Sequence, residues 1–236
     1  MRQIFLDTET TGFNANLAEN PDRIVEIGCV ELVHRKLTGN NLHFYLNPER
    51  DSDEGALRVH GLTTEFLSDK PKFAAIAQAL LDYVADAEII IHNAPFDIAF
   101  LDAELARAGY PAFRKAVGGV TDTLVMAKEM FPGKRNSLDA LCDRLEVDNS
   151  GRTLHGALLD AELLADVYIH LTRGQDALLM DTASAQEGGA VVEQVDLRGF
   201  ELPVLAANTH ELASHEELLL QIDKSSSGKT VWRKVA

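Results

Sequence analysis

The first part of the chain shows a pattern of apolar and polar positions that predicts strands. An apolar run begins at Ile4 and ends within a few residues at Gly12, and residues 24–32 are rich in β-branched side chains. A third apolar run, residues 42–46, follows the turn-forming sequence Thr-Gly-Asn-Asn. Because the connections between these runs are short, the pattern predicts three antiparallel strands at the start of the fold.

The pattern then changes to an alternation of helices and short strands. Apolar residues recur at helical spacing from Phe73 to Val84. Further helices are predicted over 96–108, from the end of the strand at 120–122 to about residue 130, over 138–145 and over 157–171. Short strands are predicted over 88–92 and 120–122. Three strands followed by this alternation predict an α/β fold, with a mixed five-stranded sheet flanked by helices.

The composition changes after residue 173, which predicts three regions. Residues 1–173 form the folded domain, and residues 174–207, rich in small and polar residues without a sustained period, are predicted to be a flexible linker. Residues 208–236 begin with a helical pattern but are too few to build a core, so this tail is expected to fold on a partner. Trp232 is the only Trp and lies beside basic residues, which favours an interface anchor over a frayed end.

The overall charge restricts the class of partner. The chain has 22 Lys and Arg against 37 Asp and Glu, a net charge of −15, so its surface should repel a polyanion at long range. A nucleic-acid partner would need a metal-filled site, a local basic patch or a tethering protein. Cys29 and Cys142 lie in apolar segments and are expected to be buried free thiols. The charged N-terminus and the lack of a long apolar run predict a soluble cytoplasmic protein without a membrane span.

Several carboxylates have surroundings that suggest more than solubility. Asp7 and Glu9 are two residues apart on the first strand, so they project from the same face, where burial is costly without a cation. A solvated strand end is the alternative interpretation. Asp97 falls in the first turn of a predicted helix, where an acid also complements the helix dipole. Asp160 lies among apolar residues of the last helix of the domain, and His155 precedes that helix.

These five side chains together indicate a type of chemistry. Oxygen ligands in this number suit Mg²⁺ or Mn²⁺ better than zinc, which prefers more His or Cys. Two such ions about 4 Å apart can activate a water and stabilise the leaving oxygen of a phosphodiester. A histidine can take the proton of that water. The sequence therefore predicts metal-assisted phosphodiester hydrolysis.

Three segments carry a resemblance to a known family. Asp-Thr-Glu-Thr-Thr-Gly at 7–12, His-Asn-Ala-Pro-Phe-Asp at 92–97 and the segment 155–160 resemble, in order and spacing, the three motifs of the DEDDh 3′→5′ exonucleases. The resemblance spans about residues 2–173 and is strongest to the proofreading members, as seen in segments 35–41, 59–62, 130–142 and 148–155. It implies a ribonuclease-H-like fold and a 3′→5′ exonuclease that removes mismatched nucleotides from a single-stranded or frayed DNA 3′ end.

The resemblance also implies roles for individual residues. Two Mg²⁺ or Mn²⁺ ions would be held by acids, the first by Asp7, Glu9 and Asp160, with Asp7 bridging to the second ion and Asp97 acting directly or through water. His155 matches the general base. Residues at positions that approach the terminal nucleotide are Thr8, Thr10, His60 and Phe96.

Residues beside the motifs leave alternatives open. Asn93 is expected to orient Asp97, and His92 to be a hydrogen-bonded supporting histidine. A basic group could meet backbone phosphates or could be merely a solvated turn; it comprises Lys134, Arg135 and Arg152.

The resemblance further implies protein partners. Residues 208–236 would bind the catalytic subunit of a replicative polymerase, which would supply DNA by effective concentration. Residues 175–180 are similar to peptides that dock on the bacterial sliding clamp, although Met180 replaces the usual Phe and a plain linker is the alternative. A small accessory subunit on the domain is also a possibility. Other functions consistent with the motifs or the tail are an RNA-trimming exonuclease of the same family and a non-catalytic adaptor between polymerase and clamp.

Overall fold

A six-stranded mixed sheet organises the structure, a computed structural model that describes residues 1–16, 19–151, 154–173 and 207–226. The strands are β1 (Arg2–Thr10), β2 (Ile24–Val33), β3 (Lys36–Leu37), β4 (Leu42–Tyr45), β5 (Glu88–Ile91) and β6 (Gly119–Asp122). Strand β2 runs antiparallel to β1, β3 and β4, whereas β5 is parallel to both β1 and β6. The spatial order is β3-β2-β1-β5-β6, with β4 also paired to β2.

Helices cover the sheet and the loops between its strands. They are α1 (Glu54–His60), α2 (Thr64–Leu67), α3 (Phe73–Val84), α4 (Ala94–Arg107), α5 (Thr123–Met130), α6 (Leu138–Leu145) and α7 (Ala157–Leu171), with a 3₁₀ turn over Phe113–Lys115. The side chain of Ser137 caps α6 by accepting from the Ala140 N–H, as the sequence predicts. Asp122 caps α5 in the same way.

Alternation along β1 divides the core between the two faces of the sheet. Ile4 and Leu6 face a large cluster with α3 and α4, whereas Phe5 faces Ala161 and Leu164 of α7. Asp7 and Glu9 continue the register of Phe5, so they project on the α7 side. The fold therefore directs the two strand acids toward the helix that carries Asp160.

The predicted mixed α/β architecture is confirmed, but the sheet has one strand more than the predicted five. The extra strand, β3, has two residues and follows a turn in which His34 and Arg35 adopt left-handed backbone. Helices α1 and α2 were also not predicted, because they are short and bury few apolar side chains. Cys29 and Cys142 are buried and unbridged, as expected.

The chain divides into two compact units, 1–185 and 186–236. In the second unit the structure describes helix α8 (Thr209–Ser226), which buries Leu219 and exposes Leu212, Leu218 and Leu220. The predicted clamp peptide at 175–180, the rest of the linker to residue 206, and Trp232 lie outside the described residues. None of the described helices combines the length and the apolar content needed to cross a bilayer.

Candidate active site

A cleft of about 520 Å³ at the ends of β1 and β5 gathers the predicted catalytic side chains. Its walls include all five predicted groups, namely Asp7, Glu9, Asp97, His155 and Asp160. They come from three separate elements, β1, α4 and the start of α7. The structure thus brings together residues that are far apart in sequence.

Strand β1 supplies the first wall of the cleft. Glu9 is only 9% exposed, and Asp7 is half-buried. The pairing of β1 with β2 shifts register between Glu9 and Thr10, an irregularity of the kind found beside active sites. Beyond it, the Thr10 hydroxyl donates to the Gly12 carbonyl at 2.6 Å. The strand therefore ends its regular pairing where its second acid meets the cleft.

Helix α4 supplies Asp97, which is 3% exposed. The helix follows Asn93, which takes left-handed backbone (φ 70°) and donates its N–H to Asp122 Oδ1 at 3.1 Å. The Thr8 hydroxyl donates to Asp97 Oδ1 at 2.7 Å. Burial nevertheless raises the pKa of Asp97 to about 7, since desolvation outweighs this hydrogen bond. A cation in the cleft would favour the ionised carboxylate and oppose this shift.

The start of α7 supplies the third wall. The Asp160 N–H donates to the Gly156 carbonyl at 2.9 Å in the first turn, and Asp160 itself is 3% exposed. His155 precedes the helix, and its Nδ1 lies 3.2 Å from Asp160 Oδ2. The His155 N–H donates to the Val59 carbonyl at 3.0 Å, which fixes this segment to the end of α1. His155 is exposed, so it can reach solvent at the cleft mouth.

The donor atoms in the cleft fit a divalent cation. One ligand atom each from Glu9, His155 and Asp160 lies within 4.8 Å of the others. Asp7 and Asp97 line the same cleft and add further carboxylate oxygens. Oxygen-rich sets of this kind suit Mg²⁺ or Mn²⁺. The residues present are therefore suited to the metal ions that the sequence predicts.

The residues predicted to approach substrate are placed differently from one another. Thr8 and Phe96 line the cleft, and the Phe96 ring packs edge-on against Phe13 with 6.4 Å between centroids. Thr10 and His60 are buried and do not line it. His60 Nδ1 accepts from the Leu62 N–H at 2.9 Å, and burial lowers the pKa of this ring.

The supporting and basic residues also have distinct positions. His92 lines the cleft with Nδ1 2.9 Å from the Thr123 hydroxyl, and burial lowers its pKa. This agrees with the expected hydrogen-bonded role. Lys134 and Arg135 are exposed on the loop before α6, and Arg152 lies outside the described residues.

Sequence reasoning missed part of the cleft wall. Leu124, Ser137, Leu138 and Asp139 also line it. The capping pattern at Ser137 places Asp139 in the first turn of a helix, but no sequence signal relates that helix to the strand acids. Asp139 is thus an additional exposed acid at the rim of the cleft.

Comparisons with known proteins agree with this geometry. The Exonuclease family (RNase_T) matches residues 4–168. DNA polymerase III subunit epsilon of Pasteurella multocida (strain Pm70) is 50% identical over 237 residues, covering 99% of this chain and 94% of that protein. Exonuclease X, solved in complex with 5′ overhanging duplex DNA, has a TM-score of 0.56 and 25% identity, covering 74% of this chain and 93% of that one. Exonuclease I shares the fold, with a TM-score of 0.64 and 20% identity over 78% of this chain and 43% of its own.

Proposed function

Because the chain belongs to the exonuclease family and, within it, to the DNA polymerase III epsilon subunits, we propose that it is a 3′→5′ exonuclease that proofreads for a replicative DNA polymerase. Its reaction is the hydrolytic removal of mismatched nucleotides from a DNA 3′ end. The observation that carries this proposal is the convergence of four carboxylates and one histidine in a single cleft; they are Asp7, Glu9, Asp97, Asp160 and His155.

The acids of the cleft are proposed to hold two Mg²⁺ or Mn²⁺ ions. Asp7, Glu9 and Asp160 would hold the first ion, Asp7 would also contribute to the second, and Asp97 would contribute directly or through water. When bound, such ions activate a water and stabilise the leaving oxygen of the phosphodiester. Support comes from the grouping of Glu9, His155 and Asp160 within ligand distance of one another and from the divalent-metal dependence of the family.

The remaining roles fall to side chains around the acids. His155 acts as the general base through Nε2, since its Nδ1 faces Asp160. Thr8 holds Asp97 in place by the hydroxyl bond at 2.7 Å. The terminal nucleotide is proposed to meet Phe96 in the cleft and to be gripped by the segment Thr8–Thr10. His60 is also proposed to approach the terminal nucleotide, although its side chain is buried and does not line the cleft.

The proposed partners follow from the relatives and from the tail. Residues 208–236 are proposed to bind the catalytic alpha subunit of DNA polymerase III, and the exposed leucines of α8 support a docking role. Residues 175–180 are proposed to bind the sliding clamp. A small accessory subunit is proposed to bind the catalytic domain. The net charge of −15 supports delivery of DNA by the polymerase rather than by long-range attraction. With these partners, the proposed location of the protein is the cytoplasm.

A nuclease assay tests the proposed reaction. The purified chain should release mononucleotides from a 3′-mismatched DNA primer and from single-stranded DNA in Mn²⁺ or Mg²⁺, and EDTA should stop the release. An equal rate on single-stranded RNA would favour the RNA-trimming alternative. No metal-dependent release from any of these substrates would overturn the enzyme assignment and favour the adaptor.

A truncation tests the proposed docking. Deleting residues 208–236 should leave nucleotide release unchanged while abolishing co-purification with the polymerase catalytic subunit. A truncated chain that still co-purifies would refute docking through this tail, whatever its nuclease activity.

A further inference from the structure

Gly28 of β2 lies directly opposite Asp7 of β1, the first of the acids proposed to bind metal. In the antiparallel ladder it pairs with Asp7, and the flanking pairs are Leu6 with Cys29 and Thr8 with Ile27. Directly opposed residues project on the same face, so position 28 faces α7, as Asp7 does. The same residue pairs on its other side with His43 of β4, which makes it an interior position of the sheet.

Glycine at this position is not required by the backbone conformation. Its φ lies outside the left-handed region, so an alanine could adopt the same backbone. A glycine inside a strand costs roughly 0.5–1 kcal/mol relative to alanine and commonly marks the close approach of another backbone. The reason for Gly28 must therefore lie in the space above it.

That space is filled by the backbone of α7. A Cβ added at Gly28 would lie 2.2 Å from both the Ala157 carbonyl carbon and the Leu158 nitrogen, and 2.4 Å from the Ala157 oxygen. Ordinary contact for such an atom begins at 3.4 Å. Because the obstacles are main-chain atoms, no side-chain rotation can make room. The first turn of α7 thus rests directly on the strand, with no side chain between them.

We propose that Gly28 is a positioning residue that sets the distance between the strand half and the helix half of the metal site. The first turn that rests on Gly28 is the turn that carries Asp160, and His155 lies two residues before the helix begins. These side chains meet Glu9 of β1 within ligand distance. Raising α7 from the sheet would separate Asp160 from Asp7 and Glu9, and a misplacement of about 1 Å can cost about 10²-fold in rate. This inference rests on the proposed metal-dependent function.

Gly28→Ala tests the inference through metal affinity as well as through activity. We expect the Mn²⁺ dissociation constant, measured by isothermal titration, to rise at least about tenfold and kcat to fall by about 10²-fold. The KM for a single-stranded oligonucleotide should change less than kcat. Gly119→Ala is the matched control, since it also adds a methyl to a strand glycine but has open space around the new atom.

The outcomes separate this inference from the proposed function. A wild-type chain that neither binds Mn²⁺ nor degrades DNA would overturn the function itself. A folded Gly28→Ala chain with wild-type Mn²⁺ affinity, beside an active wild type, would overturn only the inference. Circular dichroism and thermal unfolding in EDTA establish whether each variant is folded before titration.

A second substitution keeps the test decisive if Gly28→Ala does not fold. Ala161 is fully buried between α7 and the sheet, one position after Asp160. Ala161→Val should raise this part of the helix and weaken Mn²⁺ binding several-fold, whereas Ala165→Val adds equal bulk one turn further from the cleft and should weaken it less. Equal, wild-type affinity in both folded variants would overturn the inference.

Discussion

Two of the regions that bury carboxylates differ in the groups that surround the acids. Near the start of β2, Glu104 is 2% exposed and accepts two hydrogen bonds from the Arg23 guanidinium, at 2.6 and 2.9 Å. Close by, buried Asp22 lies 2.9 Å from Arg50. In the cleft, Asp97 accepts from a threonine hydroxyl, and none of the described residues that line the cleft is a lysine or an arginine. The acids of the first region thus have arginine partners, whereas no arginine or lysine is among the described residues that line the cleft.

The pKa values follow this difference. Hydrogen bonding to Glu104 raises the pKa of the Arg23 guanidinium, which marks a pair that stabilises both charges. Burial raises the pKa of Asp97 to about 7, which marks a carboxyl that lacks such compensation. Burial alone therefore does not distinguish a structural acid from a functional one. The source of the compensating positive charge distinguishes the two kinds of acid. In the cleft we infer that this source is a bound cation.

Asp7→Ala is the substitution expected to have the largest effect, a loss of nucleotide release with no loss of stability. Removing this acid should lower nucleotide release by more than about 10³-fold, because charge stabilisation by a bound metal contributes several kcal/mol. The melting temperature in EDTA should be unchanged or slightly higher, since repulsion with Glu9 is relieved. Rate and melting temperature are both measured. A folded variant with an unchanged rate would show that Asp7 is not a metal ligand.

Arg23→Ala should have the opposite effect, because it should lower the stability of the fold and leave the catalytic rate nearly unchanged. It leaves Glu104 buried without its main partner, which typically costs about 3–5 kcal/mol. Urea unfolding measures this loss, and kcat at low temperature should change little. Arg58→Ala is the matched control, because Arg58 pairs with Glu54 at an exposed site and should cost less than about 1 kcal/mol. Equal losses in the two variants would contradict the structural role of the Arg23 pair.

His155→Ala distinguishes two roles for the histidine of the cleft, general base and metal ligand. As a general base, His155 should contribute about 10²-fold or more to the rate. Its loss should leave Mn²⁺ affinity nearly unchanged, whereas a ligand role would weaken Mn²⁺ binding in parallel with the rate. Single-turnover kinetics and titration calorimetry on the same variant distinguish the two. Wild-type kinetics would contradict both roles.

Asp97→Asn tests the smallest expected effect, the pH dependence of the free energy of unfolding of the metal-free protein. The Asp97 carboxyl has a pKa of about 7 when folded and about 3.9 when unfolded, so the folded state binds more protons between these values. The free energy of unfolding should therefore fall as pH rises from about 4 to 7. Asp97→Asn should remove roughly 3 kcal/mol of this fall, measured by urea unfolding in EDTA. The same slope in both chains would show that Asp97 is not the group responsible.

Much of the fold was predictable because the apolar residues that recur with a helix or strand period are the ones that pack into the core. The helix Phe73–Val84 has the predicted boundaries, since its apolar spacing matches the face that it buries. Helix α1 was not predictable by the same means, because it buries only Ala56 and His60 and its N-cap makes no side-chain hydrogen bond.

The grouping of the five motif side chains in one cleft was predictable, but the rest of the cleft wall and the connections within it were not. The motifs bring Asp7, Glu9, Asp97, His155 and Asp160 to attention through their order and spacing. No local pattern indicates that Thr8 donates to Asp97, because the two are 89 positions apart. Gly28 inside a predicted strand could indicate a close backbone approach, but the sequence does not show that the approaching backbone is the first turn of α7.

The placement of Asp160 and His155 at the start of α7 has a consequence for biosynthesis. This helix is the last described element of the first unit, so the cleft lacks one wall until nearly the whole domain has left the ribosome. A nascent or prematurely terminated chain carries the strand acids but not their counterparts. We expect such fragments to be inert toward DNA, so that hydrolysis begins only with the finished domain.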